Sequence, residues 1–284
     1  EELYAIVKKF SEGATIMHST RDKDVVRAEV AEAIARFEET NYAESKARRE
    51  ALIRQVDEGA LSEDDLPRDV LTTLLLNHDQ LELPADVLVR EICLYLQAGA
   101  HSTSNAFTHT VDDLLEWGDE HPEDLERARN DLGFVQVCMH ESLRLNPSSP
   151  MAYRTPLAPV ELSDGTRLDV GDRVVLDMTA ANCDASVFGA DGGEYNPHRV
   201  MPEGVQRWGL SFGAGTHACI GAELDGGLET DVERAPQEQL YGTVAVMAHA
   251  FLAAGGRRDP DDPPTHDPAS IRKHYSRYPV RFGT

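Results

Sequence analysis

The stretch SFGAGTHACIGAEL, residues 211–224, sets Gly213, Gly215 and Gly221 around a single cysteine, Cys219. Glycine loses more conformational freedom on folding than any other residue. A cluster of it therefore marks a backbone that bends sharply or lies close to something.

Four readings fit these residues. Cys219 is a nucleophile, with His217 two positions away as its base. Or the loop cradles a phosphate, a poor fit because no Lys-Ser/Thr follows the glycines. Or Cys219 is an axial thiolate to a haem iron, and the glycines let the loop lie flat against the macrocycle. Or it is a buried loop cysteine, since free cysteines are among the most buried residues.

Composition narrows the field. The chain has 284 residues, 41% of them hydrophobic, enough for one large domain or two small ones. With 27 basic and 50 acidic residues its net charge is −23. That balance argues against nucleic acid and against anionic membrane surfaces. No apolar run is long enough to span a bilayer and no signal peptide is visible, so no membrane association is expected. The chain opens EELYAIVKKF, without Met, as a fragment does. Its cysteines Cys93, Cys138, Cys183 and Cys219 are widely spaced with no CxxC, against a zinc knuckle or a thioredoxin-type pair. Cys93 and Cys138 lie in apolar helical stretches and are expected as buried small hydrophobes. A reducing, cytoplasmic setting fits this usage.

Outward from the loop, residues 1–146 read as helices. Residues 22–59 form a long charged amphipathic stretch, and 66–77 a shorter, more apolar helix. Residues 83–118 read as one long helix, with Pro84 in its first turn and Leu88, Ile92 and Leu96 on one stripe. Its middle, AGAHSTSN at 98–105, favours a kink or an opened hydrogen bond. Helices over 122–131 and 134–145 follow. From 147 the texture becomes strand and loop, with turn signals at Asp164-Gly165 and Gly171-Asp172. An apolar helix is expected over 237–256, then a loop, then a last strand RYPVRF. The class is mainly α with a small β component.

One further cluster bears on Cys219. Glu141 and Arg144 stand at i, i+3 on an apolar helix that is expected to be half-buried. A buried ion pair needs further partners, and Arg199, in YNPHR at 195–199, is available as one.

Together these segments resemble the cytochrome P-450 family of haem-thiolate monooxygenases. FGAGTHACIG at 212–221 is similar to its cysteine-ligand loop, Phe-x-x-Gly-x-His/Arg-x-Cys-x-Gly, at every fixed position. ESLR at 141–144 resembles its Glu-x-x-Arg, YNPHR the segment whose Arg completes a Glu–Arg–Arg cluster, and AGAHST the Ala-Gly-x-acid-Thr of its long helix. The resemblance covers roughly residues 20–284 and implies that fold without its N-terminal helices, as a single domain over 1–284. Within it lie a helical region 1–146, a β/loop and ligand region 147–223, an insertion 224–236, and a final helix and strand 237–284.

It also implies roles. Cys219 is the expected ligand of the iron of haem b, with Phe212 beside the sulfur and Gly213 and Gly221 shaping the loop. His217 and Arg154 are expected on the haem propionates, which need charge-assisted donors once buried. Ala98 and Gly99 let the long helix pass over the macrocycle. Ser102, His101 and Thr103 are the candidates for proton delivery to bound oxygen. Residues 148–153 are expected to line the substrate cavity. The implied activity is insertion of one oxygen atom of O2 into an apolar small molecule, by hydroxylation or epoxidation. Its electrons are expected from a ferredoxin- or flavodoxin-type donor.

Three departures from the family pattern stand out. His101 replaces the acid and Ser102 the usual Thr; imidazole titrates near neutrality and still relays protons. The stretch ELDGGLETDVERAPQ at 223–237, with Gly226-Gly227 and Pro236 as breakers, interrupts the helix after the cysteine loop. It brings Glu223, Asp225, Glu229, Asp231 and Glu233, like charges that would slow an acidic donor. The N-terminal third of the usual fold is absent. These departures leave two alternatives: a peroxide-using or non-oxidative haem enzyme (a dehydratase or isomerase), or a catalytically silent haem-binding helper.

Overall fold

The structure is a computed structural model that describes residues 2–229 and 238–283, apart from the side chain of Asp79. The expected insertion 224–236 therefore lies largely outside the described residues, although both its flanks lie within them. The chain divides into two compact units, Glu1–Ser102 with Pro268–Ile271, and Thr103–Asp267 with Arg272–Thr284.

The first unit is helical: α1 (Glu2–Ala14), α2 (Lys23–Phe37), α3 (Ala43–Asp57), α4 (Val70–Leu76), α5 (His78–Leu81) and α6 (Ala85–Gln97). Acidic caps start two of these helices. The Asp22 carboxylate accepts from the Asp24 and Val25 amides at 3.0 Å, and Asp69 from Thr72 N at 2.8 Å. The charged stretch 22–59 is not one regular helix; a π-helical turn, Glu38–Tyr42, separates α2 from α3. That turn brings Tyr42 into the core beside Phe37. Ile6 and Phe10 of α1, Ala33 and Phe37 of α2, and Leu88, Val89 and Cys93 of α6 fill this core. Burial pushes the Cys93 thiol up to about 11, as expected of a structural cysteine.

The second unit opens with α7 (Thr103–Glu120), α8 (Pro122–Asn130) and α9 (Leu132–Leu145). Pro122 begins α8 where its missing N–H costs nothing. Asp131 caps α9 by accepting from Phe134 N at 3.0 Å. Strands β1 (Met151–Arg154), β2 (Val160–Glu161), β3 (Arg167–Leu168) and β4 (Val174–Asp177) follow; β1 pairs antiparallel with β4 and β2 with β3. The turns at Gly165 and Gly171 have φ of +84° and +91°, which glycine adopts without strain. Two short helices, α10 (Met178–Asn182) and α11 (Ala185–Phe188), lead to the glycine-rich loop. Then come α12 (Ala222–Gly226) and α13 (Thr243–Ala253). Val111, Leu114, Val135, Cys138, Met139, Val244, Ala248 and Leu252 form the centre of this unit's core.

Within the helical run expected over 83–118, a π-helical turn, Ala98–Ser102, lies between α6 and α7. This is the opened hydrogen bonding that its small polar residues favour. Three expectations need correction. The last apolar helix starts at Thr243, because Leu240 and Tyr241 pair instead with Leu228 and Gly227. The tail is not a plain loop, since it carries β5 (Arg257–Arg258) and β6 (Thr265–His266). RYPVRF is not one strand: β7 (Tyr275–Arg277) and β8 (Val280–Arg281) flank Pro279, which has no N–H to give to a ladder.

Candidate functional site

The loop around Cys219 is a tight reversal. Gly213 and Gly215 sit at φ of +69° and +68°, where an L side chain is strained. A Cβ on Gly213 would also lie 3.3 Å from the His217 carbonyl oxygen. The loop closes through Cys219 N, which donates to the Phe212 carbonyl at 2.7 Å, and a 3-10 turn spans Gly215–His217. Cys219 is a free, exposed thiol, whereas Cys93 and Cys138 are buried. That exposure excludes the reading of Cys219 as a buried loop cysteine. The neighbouring Ile220 and Leu224 side chains are 89% and 73% exposed.

Phe212 turns inward. Its ring packs on Gly226, where a Cβ would lie 2.7 Å from the ring edge, and meets Trp208 edge to face at 5.7 Å. The loop thus rests on a wall of Phe212, Trp208 and His140, the last two with ring centroids 4.7 Å apart.

The Glu141–Arg144–Arg199 cluster assembles as expected. Arg144 grips Glu141 through two bonds of 2.9 and 2.6 Å, and Arg199 Nε reaches the same carboxylate at 3.1 Å. All three side chains are buried, so each needs its remaining valences met. Arg144 donates to the carbonyls of Asn182, Gly192 and Glu194, and Arg199 to those of Phe188, Asp191 and Glu194.

What ties this cluster to the loop is Asn182, which sequence reasoning missed. Its amide donates to the Arg144 carbonyl at 2.9 Å and to Ser211 Oγ at 3.0 Å, and its carbonyl oxygen accepts from Leu210 N at 2.7 Å. Ser211 Oγ in turn donates to the Leu143 carbonyl at 2.6 Å. A lone Asn in a short helix carries no local signal for such a role.

The exit from the loop is clamped by α9. His140 Nε2 bonds the Gly226 carbonyl at 2.7 Å; Gln136 donates to the Leu228 carbonyl at 2.5 Å and accepts from Gly242 N at 2.8 Å. Burial drives His140 down to about 4, so the ring is neutral and Nε2 carries the proton that it donates.

The remaining candidates are distributed as follows. Arg154 stands exposed on β1, its Nη1 donating to the Tyr153 carbonyl at 2.9 Å. Ala98 and Gly99 are exposed in the π-helical turn, and a Cβ on Gly99 would meet nothing within 4 Å. His101 and Ser102 close that turn, with Ser102 Oγ donating to the Ala98 carbonyl at 2.5 Å. Thr103 is different: its buried hydroxyl lies 2.9 and 2.7 Å from the two oxygens of Asp225 on α12. Burial raises the Asp225 carboxyl, and the Thr103 bond partly offsets that. Of the candidates, the structure gathers Phe212, Gly213, His217, Cys219 and Gly221 into one loop. Ala98, Gly99, His101 and Ser102 belong to the first compact unit.

Among the described residues no group of three His, Cys, Asp or Glu side chains is arranged to hold a metal ion. No described helix is long and apolar enough to cross a membrane.

Comparison with known proteins bears on this geometry. The family model described as Cytochrome P-450 matches residues 26–224. A self-sufficient cytochrome P-450 monooxygenase of Penicillium expansum is 32% identical over 178 residues, covering 54% of this chain and 16% of that protein. The cytochrome P-450 monooxygenase PikC of Streptomyces venezuelae is 31% identical over 159 residues, 55% of this chain and 36% of that protein. Among solved structures, CalO2 superposes with a TM-score of 0.70 at 22% identity, over 98% of this chain and 60% of that one. The chain therefore spans less than two thirds of these relatives' lengths.

Proposed function

From the premise that the chain belongs to the cytochrome P-450 family, we propose that it is a portion of a haem-thiolate monooxygenase acting on an apolar small molecule. The observation that carries this reading is Cys219: a free, exposed thiol in a glycine loop, next to the exposed Ile220 side chain. The donor set fits haem b. One thiolate is a complete protein contribution when a porphyrin supplies four nitrogens. A flat partner also suits a loop whose glycines keep side chains off one face. Bound haem would supply the chemistry by which one atom of O2 enters the substrate and the other leaves as water, with two electrons and two protons taken up.

The chain's own groups then divide the work. Cys219 would hold the iron through its thiolate. Phe212, held against Gly226 and Trp208, keeps water from one side of the loop. His217 and Arg154 would receive the propionates. Glu141, Arg144 and Arg199 fix α9 and, through Asn182, the loop's entry. Ser102 and the His101 imidazole would hold and pass protons; at rest the Ser102 hydroxyl donates to the Ala98 carbonyl and the Thr103 hydroxyl bonds Asp225. We read residues 1–284 as one domain of a cytoplasmic protein that takes electrons from a ferredoxin- or flavodoxin-type donor.

The test is the absorption spectrum of the reduced, CO-treated holoprotein. A strongly red-shifted Soret band supports thiolate ligation, and its loss in Cys219→Ser assigns the ligand. Protein that stays colourless after expression with added porphyrin overturns the reading. His101, standing where the family carries an acid, favours one second reading, oxidation driven by peroxide. Product formed with hydrogen peroxide alone, but not with O2 and a reducing chain, would select it.

A further inference from the structure

Asp225 is an unexpected residue at its position. It lies six residues after Cys219, on the exit helix α12, and its half-buried carboxylate turns toward α7. Its backbone is fixed on three sides. Asp225 N donates to the Gly221 carbonyl at 2.9 Å, His140 holds the next carbonyl, and Gly242 lies so close that a Cβ there would fall 2.2 Å from the Asp225 carbonyl oxygen. The side chain leaves this clamp and meets Thr103, the first residue of α7, 122 positions earlier in the chain. Both carboxylate oxygens lie within 3 Å of the Thr103 hydroxyl.

We propose that Asp225 and Thr103 form a positioning pair that fastens the exit of the Cys219 loop to α7. This inference rests on Cys219 being the iron ligand. The entry of the loop is held by Asn182 and Ser211, and its floor by Phe212 on Gly226. The exit side has the carbonyl clamps of α9 and, from α13, Thr243 Oγ1 donating to the Leu224 carbonyl at 2.9 Å, all of them on backbone. The bond to α7 adds a side-chain attachment to a third helix. Fixed at both ends, the loop has less freedom to move its sulfur, and a ligand's orientation depends on such outer partners. The burial that raises the Asp225 carboxyl leaves the bond to Thr103 little competition from water.

Neither residue touches the metal, so the readout must be local. The full chain is prepared as wild type, Asp225→Ala, Thr103→Val, the double variant and Asp225→Asn. Two measurements follow: loss of the red-shifted CO Soret band in rising urea on holoprotein, and amide hydrogen exchange over residues 219–226 on haem-free protein. Asp225→Ala and Thr103→Val should each speed both by about tenfold, as loss of one hydrogen bond to a charged or buried acid predicts. The double variant should be no faster than the worse single one, the signature of a shared contact. Asp225→Asn, which still accepts the Thr103 proton, should stay within about twofold of wild type. Multiplying effects in the double variant, Asp225→Asn as damaged as Asp225→Ala, or unchanged exchange would each overturn the pair. Should Asp225→Ala fail to fold, Thr103→Val and Asp225→Asn still decide it. A wild type without the red-shifted band would count against the haem-thiolate reading, while the exchange arm still judges the contact.

Discussion

Arg144 and Glu141, one turn apart on α9, hold each other in a two-pronged pair at 2.9 and 2.6 Å with neither side chain exposed. A second guanidinium, Arg199, shares the carboxylate at 3.1 Å. Removing one partner from a buried pair strands the other charge, at a cost of about 3–5 kcal/mol. Glu141→Gln strands Arg144, while Arg199 keeps Asp191 Oδ1 at 2.9 Å, and should lower the unfolding free energy measured in urea by about that much. A change under about 1 kcal/mol, the size of a surface pair, would mean that the six main-chain carbonyl bonds and Asp191 sustain the two arginines without Glu141.

Gly242 leaves no room for a side chain. A Cβ there would lie 2.2 Å from the Asp225 carbonyl oxygen, 2.5 Å from Gly226 C and 2.7 Å from Gly227 N, all backbone atoms. Gly242→Ala must therefore push α12 away from α13, and overpacking of this kind costs about 1–3 kcal/mol or more. Thermal unfolding should show the loss. An unchanged midpoint would show that the α12–α13 junction yields freely.

His140 makes the second unit sensitive to acid. Its folded pKa, about 4, lies below the ordinary 6.5 because burial disfavours the charged ring. The unfolded chain thus binds a proton that the folded chain refuses. Stability from this group is complete above pH 6.5 and is lost as pH falls toward 4, by an amount on the order of a few kcal/mol. His140→Leu should be less stable at neutral pH, through loss of the Gly226 bond, yet show a flatter stability profile between pH 6.5 and 4. Equal slopes for the two proteins would refute the assignment.

Asp113 acts in the opposite direction. It is half-buried on α7, accepts from Ser142 Oγ at 2.5 Å and Asn146 Nδ2 at 3.0 Å, and desolvation raises its carboxyl to about 7. The neighbouring Asp112 takes the other course, held low despite burial by Tyr275, Tyr278 and Arg258. For Asp113 the folded state keeps a proton that the unfolded chain releases. Stability is complete below the ordinary value of 3.8 and falls as pH rises through 7, by an amount on the order of a few kcal/mol. Asp113→Asn retains an acceptor for Ser142 and carries no charge. It should equal wild type near pH 4 and exceed it in urea stability at pH 8. Parity at pH 8 would show that the Asp113 carboxylate ionises without penalty.

Legibility followed range along the chain. The Cys219 loop could be read because its constraints are local: left-handed backbone at Gly213 and Gly215 and a ring at Phe212 lie within a few residues of the sulfur. The Glu141–Arg144 pair was legible for the same reason, being one helical turn. The π-helical turn Ala98–Ser102 was foreshadowed by small polar residues, whereas the one at Glu38–Tyr42 was not, since nothing in EETNY breaks a helix. The two strands at the C-terminus read as one because the break at Pro279 falls between residues that both favour extended backbone.

By itself the sequence determined the class, the tight glycine loop around Cys219 and the charges beside it, because those follow from backbone permissiveness and side-chain chemistry at short spacing. Only the tertiary structure decided which distant groups hold the loop. Asn182 meets Leu210 across 28 residues, His140 meets Gly226 across 86, and Thr103 meets Asp225 across 122. A single Asn, His or Thr has many possible partners. Which one it keeps depends on the packing of helices that brings two buried polar groups within bonding distance, away from water that would otherwise satisfy them.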